Sequence, residues 1–148
     1  MPDIVVCGPI NPGITNLNAE ITSTLFGTQS LSYYVNNCQV GFTPSTSIQL
    51  NATDSVNNSV GTLNMLINNY QPGNYIWNNT TTSLTFNANL NGMPVTIQSE
   101  QGGLTTVTSA PPVGGMVNVS FSGNVILSSP QTGPVPASMT GNFNVIRN

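Results

Sequence analysis

The chain has 148 residues, of which one is basic and four are acidic, and it holds no histidine. Charged residues make up 3% of it, against roughly a quarter of an ordinary soluble domain. That deficit argues against nucleic-acid binding, polybasic membrane contacts and most catalytic machinery. The length fits one domain, and its β-branched and aromatic content is that of a folded chain.

The first sixteen residues stand apart. Pro2, Pro9, Pro12 and Gly13 punctuate two short apolar stretches, Ile4-Val5-Val6-Cys7 and Ile10 with Ile14. Residues 1–16 are expected to form an extended arm, anchored by Ile4, Val5, Val6 and Ile10, ahead of a single domain over 17–148. Two readings of the arm stand side by side. It is an edge strand clamped across its own domain, or a donor segment that completes a neighbour's sheet. The start lacks the basic region of a signal peptide, and no apolar run reaches the ~18–20 residues of a membrane span. Cys7 and Cys38 form one disulfide or are two buried thiols; the even count permits either.

Beyond the arm the hydrophobic pattern has period two almost throughout, the mark of strands with one wet face. Strands are expected at 19–26, 31–35, 39–42, 47–52, 62–67 and 74–77. Turn clusters separate them, among them Asn36-Asn37, Asn57-Asn58-Ser59 and Gln71-Pro72-Gly73. The segment 63–70 is the one helix candidate, and its asparagines and β-branched residues favour a strand. Leu84, Phe86, Ala88 and Leu90 alternate up to Asn91-Gly92, and Met93, Val95 and Ile97 alternate after it. Asn-Gly between alternating runs predicts a two-residue hairpin setting Ala88 opposite Val95 and Phe86 opposite Ile97. Further strands are expected at 104–108, 117–127 (bent or bulged at Ser122-Gly123) and 137–145. Many short strands at this spacing predict an all-β fold, an antiparallel β-sandwich of Ig-like or jelly-roll type, with a partly open barrel as the alternative.

Little in this inventory can do chemistry. Nucleophilic triads need a base that the chain lacks, and two cysteines without imidazole do not make a zinc site. Glu20 and Glu100 are the obvious carboxylate pair for glycoside hydrolysis, yet nothing in their spacing brings them together. Gly102-Gly103 and Gly114-Gly115 match no phosphate loop and read as turns. Residues 51–58 are dense in oxygen but hold one carboxylate, Asp54, without calcium-loop spacing; a polar hairpin loop is the simpler reading. No enzyme and no cofactor or metal are expected. Trp77 with Tyr75 forms an aromatic sugar platform or, alternatively, a core tryptophan with tyrosine at a strand edge. Asn-x-Ser/Thr tripeptides at Asn51, Asn57, Asn78, Asn79 and Asn118 mark surface in a chain this rich in Asn and Thr.

The C-terminal half carries a family likeness in its step from 63–67 into Tyr70-Gln71-Pro72-Gly73-Asn74-Tyr75, in 103–108, in Val113-Gly114-Gly115, in Val119-Ser120-Phe121-Ser122-Gly123 and in the closing strand 139–147. Over about 85 residues it resembles small secreted β-sandwich proteins and lipoproteins of the Bacteroidota of unknown function. That resemblance implies an O-glycan on Ser55 within Asp54-Ser55-Val56, and it implies no activity. The absence of Lys and the missing lipobox depart from the group and point to an assembled or released form. The function expected is a non-enzymatic structural protein outside the cell or on its surface, self-assembling into a filament or surface layer, with strand donation by the arm as its means. The alternatives are an adhesin that binds surface glycan and a viral capsid or fibre component. Its partners are itself or a glycan, with no nucleic acid and no membrane span.

Overall fold

The computed structural model describes residues 4–8, 17–41, 46–54, 59–67, 71–90, 92–109 and 116–147. Their secondary structure is eleven strands: β1 (Ile4–Gly8), β2 (Leu17–Ser23), β3 (Gly27–Gly41), β4 (Thr46–Asp54), β5 (Val60–Ile67), β6 (Gly73–Ile76), β7 (Ser83–Leu90), β8 (Met93–Ser99), β9 (Leu104–Ser109), β10 (Met116–Ser129) and β11 (Gly133–Arg147). Every pairing is antiparallel. Following the ladder from β2 through β3, β4, β5, β7, β8 and β10 to β11 leads back to β2, so eight strands close a ring. The all-β expectation holds in the form of the barrel alternative. Hydrogen bonds run round one closed sheet, where a sandwich would have two facing sheets, because β11 pairs with both β10 and β2.

Three of the eight walls are built from two collinear pieces. β8 and β9 lie end to end along β10, Ser99 opposite Val125 and Leu104 opposite Ser122. β6 prolongs β7 in the same way, pairing with β9 where β7 pairs with β8. β1 prolongs β2, since both lie between β3 and β11. Counted as walls, the order round the ring is the order along the chain, an up-and-down barrel.

The period-two pattern dictates the rest. Leu17, Ile21, Tyr33, Leu50, Leu63, Leu84, Phe86, Ile97, Leu127 and Phe143 all turn inward and are at most 1% exposed. An eight-stranded ring is just wide enough for side chains to fill, and here they fill it. The apolar face points in and the polar face out, the reverse of a lipid-facing barrel. Among the described residues no helix is long and apolar enough to cross a membrane.

The predicted hairpin is present: Leu90 pairs with Met93, Ala88 with Val95 and Phe86 with Ile97, and Gly92 has φ +78°. Two expectations need correction. The segment 31–35 and residues 39–41 of the segment expected at 39–42 are parts of one strand, β3, with a bulge at Val35/Asn37 in place of a turn, and residue 42 lies outside the described residues. Asn36 holds that bulge, its Nδ2 donating to Thr53 Oγ1 at 2.7 Å. The strand expected over 19–26 ends at Ser23, whose Oγ accepts from the Phe26 amide at 3.0 Å while Gly27 takes φ +66°. The β10–β11 turn repeats the device: Ser129 Oγ accepts from the Thr132 amide at 3.0 Å, and Gly133 also has φ +66°. Both are three-residue hairpin loops closed by a left-handed glycine. Pro134 and Pro136 are tolerated in β11 because they precede Ala137, where its pairing with β2 begins.

Candidate assembly site

The residues singled out in the sequence fall into three places. Trp77 is in the core, 1% exposed, and its Nε1 donates to Thr105 Oγ1 at 2.8 Å. It bridges the β6–β7 and β8–β9 interruptions, its amide donating to the Gly103 carbonyl at 2.8 Å and its carbonyl accepting from Gly102 at 3.0 Å. Glycine is required at two neighbouring positions against the ring: a Cβ on Gly103 would lie 2.0 Å from Trp77 Cε3, and one on Gly123 2.7 Å from Cζ3. The sugar-platform reading of Trp77 is therefore corrected, since no face of the indole is open. Tyr75 is half-buried against the core, and its hydroxyl donates to the Gln71 carbonyl at 2.7 Å.

The carboxylates do not converge. Glu20 points out from β2, Glu100 follows β8, and Asp54 is buried at the end of β4. Asp54 is the register partner of Tyr33, and its amide donates to Ser59. Tyr33 is fully buried, its hydroxyl has no hydrogen-bond partner, and its ring packs on Phe86 at 5.5 Å. Burial, with the Asp54 charge adding to it, pushes the Tyr33 phenol up to about 12. Among the described residues no group of His, Cys, Asp and Glu could hold a metal ion. Ser55 and Ile10 lie outside the described residues.

The arm residues and the cysteines meet at one place. Ile4, Val5, Val6 and Cys7 pair with Gly41, Val40, Gln39 and Cys38 of β3. On the other edge Cys7 pairs with Arg147 and Gly8 with Ile146 of β11. β1 thus lies in a slot between β3 and β11, paired with β3 along most of its length and with β11 at its Cys7–Gly8 end. The β11 partners of Gly8 and Leu17, Ile146 and Phe143, are only three positions apart. That gap is about 10 Å. The chain spans it with residues 9–16, enough for about 26 Å when extended.

The outer wall of the barrel carries few charges, and several of its polar groups partner one another. Thr22 and Thr28 share a hydrogen bond at 3.1 Å, Ser32 donates to Asn18 at 3.2 Å, Thr96 to Asn87 at 2.9 Å and Thr106 to Asn74 at 2.9 Å. A shallow depression of about 430 Å³ over β11, β2 and β3 is lined by Asn18, Glu20, Ser30, Ser32, Thr140 and Asn142 among others, with no aromatic side chain. Sequence reading missed the Trp77 cradle, although Gly103 and Gly123 were its visible signal. Comparison with protein-family models, with curated proteins and with solved structures gave no match.

Proposed function

We propose that this protein is a non-enzymatic structural subunit that assembles with copies of itself, β1 serving as the strand that one copy donates to the next. The observation that carries the reading is the slot: β1 pairs with β3 through Ile4, Val5, Val6 and Cys7 and with β11 at Cys7 and Gly8, yet is joined to its own barrel by more chain than the gap needs. The wall supports it, because a face with few charges, several of whose polar groups already have partners, loses little when water is removed. A filled barrel leaves no lumen for a ligand, so function belongs to the outside and to the slot. On this reading the protein works outside the cell or on its surface, and its end product is a filament or layer.

The test is negative-stain electron microscopy of the full-length chain at high protein concentration. Regular filaments or sheets are expected, and Val5→Pro, which removes a β1 amide, should abolish them while circular dichroism still reports a β fold. Discrete 15 kDa particles at every concentration would refute the proposal.

A further inference from the structure

We propose that β1 is exchanged between copies of this chain and that Cys7 of the incoming strand then forms a disulfide with Cys38 of the receiving barrel, so that assembly ends in a redox-controlled covalent lock. This rests on the strand-donation reading and adds to it the partner residue and the chemistry.

Register is the first argument. Cys7 and Cys38 are direct partners across β1 and β3, and opposed residues of an antiparallel pair have Cα atoms about 4.5–5.5 Å apart, inside the range of about 4.4–6.8 Å that a disulfide requires. An exchanged β1 makes the same contacts in the receiving barrel as it makes at home, so no new surface is needed. Each barrel donates one strand and receives one, a head-to-tail arrangement that stays open unless a ring closes.

The second argument is the chemistry of exchange. A thiol reacts as its thiolate, the form that attacks a disulfide. Starting from a small-molecule disulfide such as oxidised glutathione, the Cys7 thiolate attacks one sulfur and expels one thiolate, leaving a mixed disulfide. Cys38 then attacks the Cys7 sulfur as its thiolate and expels the second. Two protein thiols become one disulfide, one glutathione disulfide becomes two thiols, and the two protons lost from Cys7 and Cys38 pass to the glutathione thiolates or to solvent.

Magnitudes show why a lock is needed. A tethered strand competes for its own slot at an effective concentration of order millimolar, and exchange gains no new contacts. Without a covalent bond, cis pairing therefore wins in dilute solution. A disulfide formed after exchange removes that competition and holds the polymer when the protein is diluted.

The experiment uses two full-length single-cysteine variants, Cys7→Ser and Cys38→Ser, one of them isotopically heavy. They are mixed at about 1 mM, near the effective concentration of the tethered strand, in a glutathione redox buffer and resolved by intact mass without reductant. A disulfide dimer of one light and one heavy chain, in large excess over either homodimer, is expected. A mixture of light and heavy wild type gives a second reading that needs no variant: the Cys7–Cys38 linked peptide should contain light–heavy pairs. Only light–light and heavy–heavy linked peptides would mean the bond stays within each chain and would overturn the inference, as would homodimers as abundant as heterodimers. If filaments still form in that case, self-assembly stands and only the lock is lost; if none form, both readings fall.

Discussion

Gly103→Ala is the sharpest perturbation of the interrupted walls. Its new methyl carbon would lie 2.0, 2.4 and 2.6 Å from three ring atoms of Trp77, where a carbon–carbon contact wants about 3.5–4.0 Å. Gly123 adjoins the same ring atoms, a Cβ placed on it falling 2.7 Å from Cζ3 and 2.5 Å from the Gly103 Cα. The ring must tilt, and tilting breaks the 2.8 Å bond from Nε1 to Thr105, both residues being buried. Overpacking costs about 1–3 kcal/mol and a buried donor left unpaired about 1–3 more, so a loss of roughly 3–4 kcal/mol is expected. Urea unfolding measures it, followed by the fluorescence of Trp77, the chain's single tryptophan. A Trp77→Leu background, followed by circular dichroism, supplies the check: Gly103→Ala should cost far less there, with a coupling of about 2–3 kcal/mol. A Gly103→Ala protein within about 0.5 kcal/mol of wild type, or a cycle that is simply additive, would refute the cradle.

Tyr33→Phe should leave the protein as stable as wild type or up to about 1 kcal/mol more stable at neutral pH, because it removes a buried hydroxyl with no partner. The pH dependence follows from the raised phenol. The unfolded chain loses this proton near 10 and the folded one near 12, so above about 10 the unfolded state binds fewer protons, and stability falls until about 12. Below about 10 both states keep the proton and no dependence arises; Tyr33→Phe should remove this part of the alkaline loss, and equal alkaline slopes in urea titrations would count against it. Ser23→Ala and Ser129→Ala should each cost about 1 kcal/mol by thermal unfolding, and together about the sum, since they close separate hairpins. Ile76→Lys, at a 65% exposed position on β6, should leave assembly intact under the electron microscope; loss of assembly would move the interface from the β1 slot to the β6 edge.

The local parts of this fold were legible and the closure was not. Asn91-Gly92 between alternating runs yields the β7–β8 register residue by residue, because turn chemistry and pleat period must agree there. Alternation also fixes which side chains face inward, from Leu17 to Val145. It is silent on sandwich against barrel, since both have one dry face and one wet one. That choice is made by β11 pairing with β2, Phe143 against Leu17, a contact between residues far apart in sequence that no local signal encodes. The same holds for the candidate site. An apolar, proline-broken arm is visible in the sequence, but the arrangement of Cys7 between Cys38 and Arg147 appears only once three strands are laid side by side. Trp77 was ambiguous because exposed and buried tryptophans look alike in sequence, and the discriminating signal lay in glycines 26 and 46 positions away, at Gly103 and Gly123.

The interrupted walls differ in a way that bears on function. At β6–β7 and β8–β9 the short links 77–82 and 100–103 are tied into the barrel. Asn78 and Asn79 amides donate to the Thr82 carbonyl, Glu100 donates to Asn124, and the Asn78 side chain accepts from the amides of Thr80, Thr81 and Thr82. Ser99 donates to Asn79 and accepts from Leu84, and Trp77 fills the space beneath. Separating either pair of pieces would break these bonds and open the core around a buried indole. By chain length β1 and β2 meet no such requirement: their link reaches more than twice the gap, and lifting β1 exposes the facing edges of β3 and β11 at the far end of the wall from Ser23. An open pair of strand edges is a template for another strand, and the segment of matching register carried by a neighbouring copy is another β1. The proposed exchange therefore belongs to the β1 wall, while the other two interruptions serve the fold.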